Sequence, residues 1–297
     1  MGRAWYEESA RVRETLEEAS KALGEDLVEL CFEGPEERLQ RTENTQPAIL
    51  ALSVAIAREL FDRGLGPAAV AGHSLGEYSA HVVAGTLELA DAVRLVRKRG
   101  RFMQEAVPVG VGAMAAVLAL EPAVVAEVCE LAAQETGGVC AVANENAPDQ
   151  VVVSGHATAV ARAGEMAKAR GARRVIPLAV SAPFHCPLML PARQALEPEL
   201  RATLFRDPGV PVVVNVDATA VTAAEAAREA LIRQVDQRVR WIESVQFLVQ
   251  QLGIKAFLEV GPGTVLTGLV RKIVPGVSVG SSSEPAGLAS WLAETGA

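Results

Sequence analysis

Cysteine is scarce in this 297-residue chain: Cys31, Cys129, Cys140 and Cys186 stand far apart, with no C-x-x-C pair among them. Such spacing argues against a disulfide frame or a structural zinc site and reads as reduced thiols in a cytosolic protein. Positive charge is in deficit as well. The formal net charge of −8 speaks against general affinity for nucleic acid or an anionic membrane. No apolar run approaches the roughly 20 residues of a membrane span. The opening Met1-Gly-Arg-Ala-Trp-Tyr-Glu-Glu lacks the pattern of a signal peptide, so a cytoplasmic location is expected. Internal repeats and low-complexity tracts are missing too. Histidine is limited to His73, His81, His156 and His185, which narrows any search for a general base.

What is present is apolar material, 50% of the residues, enough for a sizeable core in one large or two modest domains of roughly 100–200 residues each. Helix-like and strand-like segments alternate, which favours an α/β architecture. Helices are expected over about 6–22, over 46–61 around Pro47, and from an N-cap at Thr86 to about Ala106. From 112 to 179 the order is strand (113–120), helix (122–133), strand (139–144), strand (150–154), helix (157–170), strand (174–178). That β-α-β-β-α-β order is the ferredoxin-like arrangement. It predicts a small subdomain at 112–179 inserted in a large one made of 1–111 and 180–297. The large unit resumes with a strand at 210–216, helices near 223–234 and 242–252, and a short strand at 256–260. A Gly-rich turn then leads into a last helix, and the Ser-rich tail beyond Val279 reads as a surface segment.

The stretch Gly72-His-Ser-Leu-Gly76 is a G-x-S-x-G pattern between an apolar run (68–71) and a helix-like run (77–83). That is the context of a nucleophile elbow, where a strand turns sharply into a helix and leaves Ser74 at the bend. The two glycines would permit close approach of strand and helix, and the free N–H groups of the new helix would face an anion. An ordinary serine in a Gly-rich turn is the competing reading.

A serine nucleophile needs a base within hydrogen-bond reach. His73 points away from the bend, His81 lies two helical turns on, and His156 reads as part of a surface turn. His185, in Ala182-Pro-Phe-His-Cys-Pro187, follows a strand-like run and sits between two prolines, a rigid mount for a base. Arg99 falls on the apolar stripe of its helix, with Leu89, Ala92, Val93, Val96 and Met103. A guanidinium there needs an anion. An internal ion pair, a snorkelling stem and a clamp on a substrate carboxylate all satisfy that need.

Six stretches in order carry a family resemblance: Gly72–Ser79, Arg97–Ala106, Gly112–Ala116, Asn144–Gly155, Ser181–Met189 and Glu259–Gly263. Together they resemble malonyl-CoA:acyl carrier protein transacylase from the first residues to about Ile273. The resemblance implies an α/β-hydrolase-like large subdomain with a ferredoxin-like insert. It makes Ser74 the nucleophile, His185 the base and Arg99 the clamp on the malonyl carboxylate. Gln234 matches the position whose backbone carbonyl orients the histidine, and the Leu75 amide would be one oxyanion donor. Phe184, before the histidine, would narrow the pocket against a 2-methyl branch, an effect of about 1–3 kcal/mol.

Malonyl-CoA and acyl carrier protein are the partners that the resemblance implies, with no cofactor or metal, and a monomer is expected. Candidate docking cations for an acidic carrier are Arg97, Lys98 and Arg101, or Arg173 and Arg174, or Arg271 and Lys272; for any one pair a solvated helix face is the reading preferred over docking. Family members usually begin with an apolar strand and a Gly-Gln-Gly-Ser-Gln loop ahead of a Met-Gly pair that Met1-Gly2 matches. The loop glutamine is a second oxyanion donor, and losing one donor costs on the order of 10²–10³ in rate. The expectation is that the natural protein starts further upstream. A catalytically impaired, carrier-binding form is the alternative, and a serine esterase or thioesterase of similar fold is the other competing function.

Overall fold

Ser9 breaks what the sequence presents as one N-terminal helix. It takes an extended conformation (φ −113°, ψ 124°) and its side chain accepts the Val12 N–H, so α1 (Arg3–Glu8) ends and α2 (Ala10–Leu23) begins at a capped boundary. The structure is a computed structural model and describes residues 1–180 and 182–295. Ser181, at the head of the Ser181–Met189 stretch, lies outside the described residues, as do Gly296 and Ala297.

Two short helices, α3 (Leu27–Phe32) and α4 (Glu36–Gln40), lead to α5 (Thr42–Asp62), which starts a turn earlier than Pro47 suggested. Leu50, Leu52, Val54 and Ile56 of α5 are all buried, so this helix is the axis of the main core. Strand β1 (Val70–Ala71), α6 (Leu75–Val83) and α7 (Leu89–Glu105) follow. Glu88, not Thr86, stands at the N-cap of α7. The Thr86 amide is bonded back to the His81 carbonyl, 2.8 Å away, which keeps that residue in the preceding turn.

Next come β2 (Gly112–Leu118), α8 (Pro122–Thr136), β3 (Cys140–Ala147), β4 (Gln150–His156), α9 (Ala157–Ala169) and β5 (Arg174–Pro177). They form an antiparallel sheet of order β3-β4-β2-β5, the ferredoxin-like topology. Period-two alternation splits its faces. Ala115, Val117, Val151 and Val153 meet α8 and α9, while Met114, Ala116 and Val152 turn to the other side, where Phe184 packs. His156 closes β4, and its Nδ1 accepts the Val139 N–H at 2.8 Å. It is therefore a half-buried strand-end acceptor rather than part of a surface turn.

The remaining elements are α10 (Leu190–Ala202), β6 (Val212–Val213), β7 (Ala220–Val221), α11 (Ala224–Gln234), α12 (Trp241–Gln250), β8 (Ala256–Glu259), α13 (Val265–Ile273), β9 (Ser278–Ser281) and α14 (Pro285–Thr295). Strand β6 pairs parallel with β1 and antiparallel with β7, and β8 pairs parallel with β9. The strand expected over 210–216 shrinks to two residues because Asn215 spends its polar groups on the Ser74 turn. The tail expected on the surface keeps most of its residues exposed or half-buried but is anchored in the core at two points. Ser282 and Leu288 are fully buried, and the Trp5 indole N–H donates to the Ser282 carbonyl at 2.8 Å. No helix among the described residues is long and apolar enough to cross a membrane.

Candidate active site

Strand β1 delivers the chain to Gly72, where a Cβ would lie 1.9 Å from the Gly76 carbonyl carbon. Only glycine permits that crossing. Gly76 itself meets nothing within 4 Å, so the expectation that both glycines are sterically required holds for the first alone. Beyond the crossing, Ser74 sits at φ 52°, ψ −104°, a strained conformation of the kind that clusters at functional sites. Asn215 props the bend: its Oδ1 accepts the Ser74 N–H at 2.7 Å and its Nδ2 donates to the Gly72 carbonyl at 2.7 Å. The Ser74 amide is thus occupied. The Leu75 amide, at the start of α6, has no acceptor among the described residues, and it is the N–H left to face an oxyanion.

His185 also has positive φ, 57°. Its Nε2 lies 2.7 Å from Ser74 Oγ. Its Nδ1 donates to the backbone carbonyls of Gln234 at 2.9 Å and Gln237 at 3.2 Å. Two carbonyls can only accept, so the proton is on Nδ1 and Nε2 is free to take the serine proton. Burial, and then the nearby Arg99 charge, pull the imidazole down to about 3, so it is a neutral base across the physiological range. The carbonyls are themselves positioned by the small sheet. Val239, just past them, donates to Ala143 O at 2.8 Å and accepts from Glu145 N at 3.0 Å.

Arg99 reaches the same point from α7. Gly100 makes this possible: a Cβ there would lie 2.7 Å from the Glu43 Cα, so α5 and α7 touch backbone to backbone. That contact brings Gln46 Oε1 to Arg99 Nη1 at 2.9 Å. Arg99 Nη2 donates to Ser74 Oγ at 2.9 Å and to Gln234 Oε1 at 3.0 Å, and Tyr78 lies under the guanidinium, 5.5 Å from its ring centroid. The residue is only 2% exposed. Its Nε has no partner among the described residues, and no carboxylate there lies within ion-pair distance of it. An internal ion pair and a snorkelling stem are both excluded by this geometry. Burial lowers the guanidinium below its ordinary value, yet arginine stays charged.

The structure thus brings Ser74, His185, Arg99 and Gln234 together, with the Leu75 amide at the bend. Phe184 stands one residue before the base and rests on Met114 and Ala116 of the sheet. A cavity of about 280 Å³ opens beside His185, with Val142, Arg238 and Arg240 among its lining residues. Sequence reasoning missed Asn215, Gln46 and the Gln234 side chain. Their only early signal is amide residues on otherwise apolar segments. Of the basic groups named earlier, Arg97, Lys98, Arg101 and Lys272 are paired with Glu25, Glu199, Glu105 and Asp149. Arg173 and Arg174 are exposed, and neither forms an ion pair among the described residues.

An elbow serine bonded to a neutral imidazole, with a buried cation beside it, defines a serine enzyme of acyl transfer. The chain belongs to the acyl transferase domain family, whose model matches residues 1–289. It is 51% identical over 282 residues to malonyl CoA-acyl carrier protein transacylase of Escherichia coli (strain K12), covering 95% of this chain and 90% of that one. Identity to the protein of that name from Bacillus subtilis (strain 168) is 45% over 273 residues, with 92% and 86% covered. Among solved structures, an acyl carrier protein S-malonyltransferase from Vibrio cholerae superposes with a TM-score of 0.95 at 46% identity, covering 98% of this chain and 94% of that one. A malonyl-transacylase in complex with its type II PKS acyl-carrier protein gives 0.95 and 46%, with 99% and 95% covered.

Proposed function

We propose that this chain transfers the malonyl group from malonyl-CoA to the phosphopantetheine thiol of acyl carrier protein, in fatty-acid or polyketide synthesis. The observation that carries the reading is Arg99, a buried cation bonded to the nucleophile and to amide oxygens but to no carboxylate. An esterase acting on neutral acyl groups has no use for such a charge, whereas a malonyl carboxylate supplies the missing anion.

The chemistry is a ping-pong exchange. His185 Nε2 takes the Ser74 proton as Oγ attacks the thioester carbonyl, and the Leu75 N–H stabilises the oxyanion. Collapse breaks the C–S bond, and the imidazolium returns its proton to the departing CoA sulfur. The Gln234 and Gln237 carbonyls hold the charged ring, in the place a carboxylate occupies in other triads. The carrier thiol then gives its proton to His185, attacks the malonyl-serine ester and restores Ser74. Arg99 holds the distal carboxylate in both halves, which fixes the reacting carbonyl, while Phe184 limits branching at C2. We assign 1–111 and 180–297 to a catalytic subdomain and 112–179 to a small one that supports the base. Arg173 and Arg174, exposed and free of ion pairs, are the docking cations that fit an acidic carrier. A monomer in the cytoplasm fits this role.

Intact-protein mass spectrometry after brief exposure to malonyl-CoA tests the reading. A malonyl adduct is expected on the wild type and none on Ser74→Ala. An adduct that survives the substitution removes Ser74 from its role.

A further inference from the structure

Glu77 is fully buried, three residues past the nucleophile on α6, and the exchange above does not use it. Its Oε2 accepts two N–H groups. One is the Gln234 Nε2 at 2.9 Å, the other the Asn215 backbone N–H at 2.8 Å. Oε1 has no hydrogen-bond partner among the described residues, and its neighbour there is His81 Nε2 at 4.0 Å. A carboxylate so placed in a core is costly, and packing alone would favour an aliphatic residue.

The connection through Gln234 explains it. Gln234 Nε2 donates to both the Ser74 carbonyl, at 2.9 Å, and Glu77. Because Oε2 already accepts from a backbone amide, it is an acceptor whether or not the carboxyl carries a proton on Oε1. The NH₂ of Gln234 must therefore face Glu77 and its oxygen must face Arg99. With both amide hydrogens held, the side chain has one orientation, and the pull on Nε2–H makes Oε1 a stronger acceptor for the guanidinium. The second arm, through Asn215, runs to the Ser74 amide.

We propose that Glu77 is a positioning residue for acyl-group selection: it fixes the Gln234 amide so that Oε1 aims Arg99 at the substrate's carboxylate. This rests on the malonyl-transfer reading, since it has meaning only if Arg99 meets a carboxylate. Other charged or titratable groups around Glu77 are Tyr78 and His81 on its own helix, Arg99 on α7, Arg233 on α11 and Asp217 before β7.

The test is the ratio of acylation efficiencies with malonyl-CoA and acetyl-CoA for the full chain and four variants. Glu77→Ala is expected to lower the malonyl preference about 10-fold, the size of one charge-assisted hydrogen bond. Glu77→Gln keeps an acceptor oxygen on Gln234 and should retain the preference within about threefold. Gln234→Ala should lose it as Glu77→Ala does, and the double variant should be no worse than Gln234→Ala alone, because the two act in series. A loss shared equally by malonyl and acetyl in Glu77→Ala, an equal loss in Glu77→Gln, or additive losses in the double variant would overturn the proposal. If Glu77→Ala does not fold, Gln234→Ala decides, and an unchanged ratio there overturns it. A wild type that takes up no malonyl in the same assay sinks the functional reading itself, while an acylated wild type with indifferent variants sinks only this inference.

Discussion

In the four-stranded sheet, β2 runs against β4 in continuous register from Gly112–His156 to Leu118–Gln150, and the face toward α8 and α9 is packed with valine and alanine. The elbow that it faces is built the other way. Strand β1 pairs with β6 over Val70 and Ala71 only, and around it Glu77, His81, Arg99, Asn215 and Gln234 are buried polar groups. Long ladders and aliphatic packing give the first region stability with little chemistry. The second holds strained dihedrals, an unpaired carboxyl oxygen and a cation with no carboxylate in direct contact, each of which costs stability. The difference teaches where the chain gathers its costly groups: at the elbow, braced by a sheet whose own irregularities are confined to the β3–β4 register shifts, the buried Ser154 hydroxyl and the positive φ of Ala119 just after β2.

The largest effect expected is at the elbow. Arg99→Ala should shift acyl preference from malonyl toward acetyl by roughly 10²–10³-fold, measured as the ratio of acylation efficiencies. Retained malonyl preference would remove the clamp role. Next is a pH effect on stability. Burial pushes the Glu77 carboxyl from 4.5 up to about 7. Between those values the folded chain keeps a proton that the unfolded chain has lost, so this group's contribution falls as pH rises from about 4.5 to about 7, by about 3 kcal/mol. His185 and His81, both pulled down to about 3 from 6.5 by burial, act in the opposite sense and lose stability as pH falls through 6.5. Subtracting the wild-type denaturation curve from that of Glu77→Gln isolates the first group, and a pH-independent difference would contradict its raised value.

The sheet should behave differently. Val153→Ala, which hollows the aliphatic face, should cost about 2 kcal/mol while the folded fraction keeps its malonyl-to-acetyl ratio. A changed ratio would show that the brace and the site are not separable. The smallest effect comes from Gly76→Ala. With open space around it inside a helix, alanine should stabilise by up to about 1 kcal/mol, read as a higher Tm; a lower Tm would mean that this glycine too is needed for close approach.

The sequence made Ser74, His185 and Arg99 legible for local reasons. A strand-turn-helix signature surrounds the first, two prolines bracket the second, and a helical stripe exposes the third. The insert was legible because its elements are long and periodic. Asn215 and Gln46 were not, since each meets its partner across 141 and 53 positions of chain, and no spacing rule links an amide to a bend that far away. The Gln234 backbone was anticipated from the resemblance, but the choice its side chain makes between Arg99 and Glu77 depends on a three-way meeting of α6, α7 and α11. The tail misled at one serine, since Ser282 turns its hydroxyl and amide onto the Glu259 carbonyl. Glu259 itself, at the end of β8 just before the Gly-rich turn, accepts the Leu266 and Thr267 N–H groups at 3.0 and 2.6 Å, a cap on α13 that the family pattern carried without explaining.

The bond from the Trp5 indole to the Ser282 carbonyl spans 277 positions. In polymer terms it ties almost the whole chain into one ring, with the catalytic segments strung around its circumference. Ring closure grows dearer only with the logarithm of contour length. Joining these two points therefore costs only about 2 kcal/mol more than closing a loop one-tenth as long, and one indole nitrogen seated in the core goes a long way toward meeting that difference.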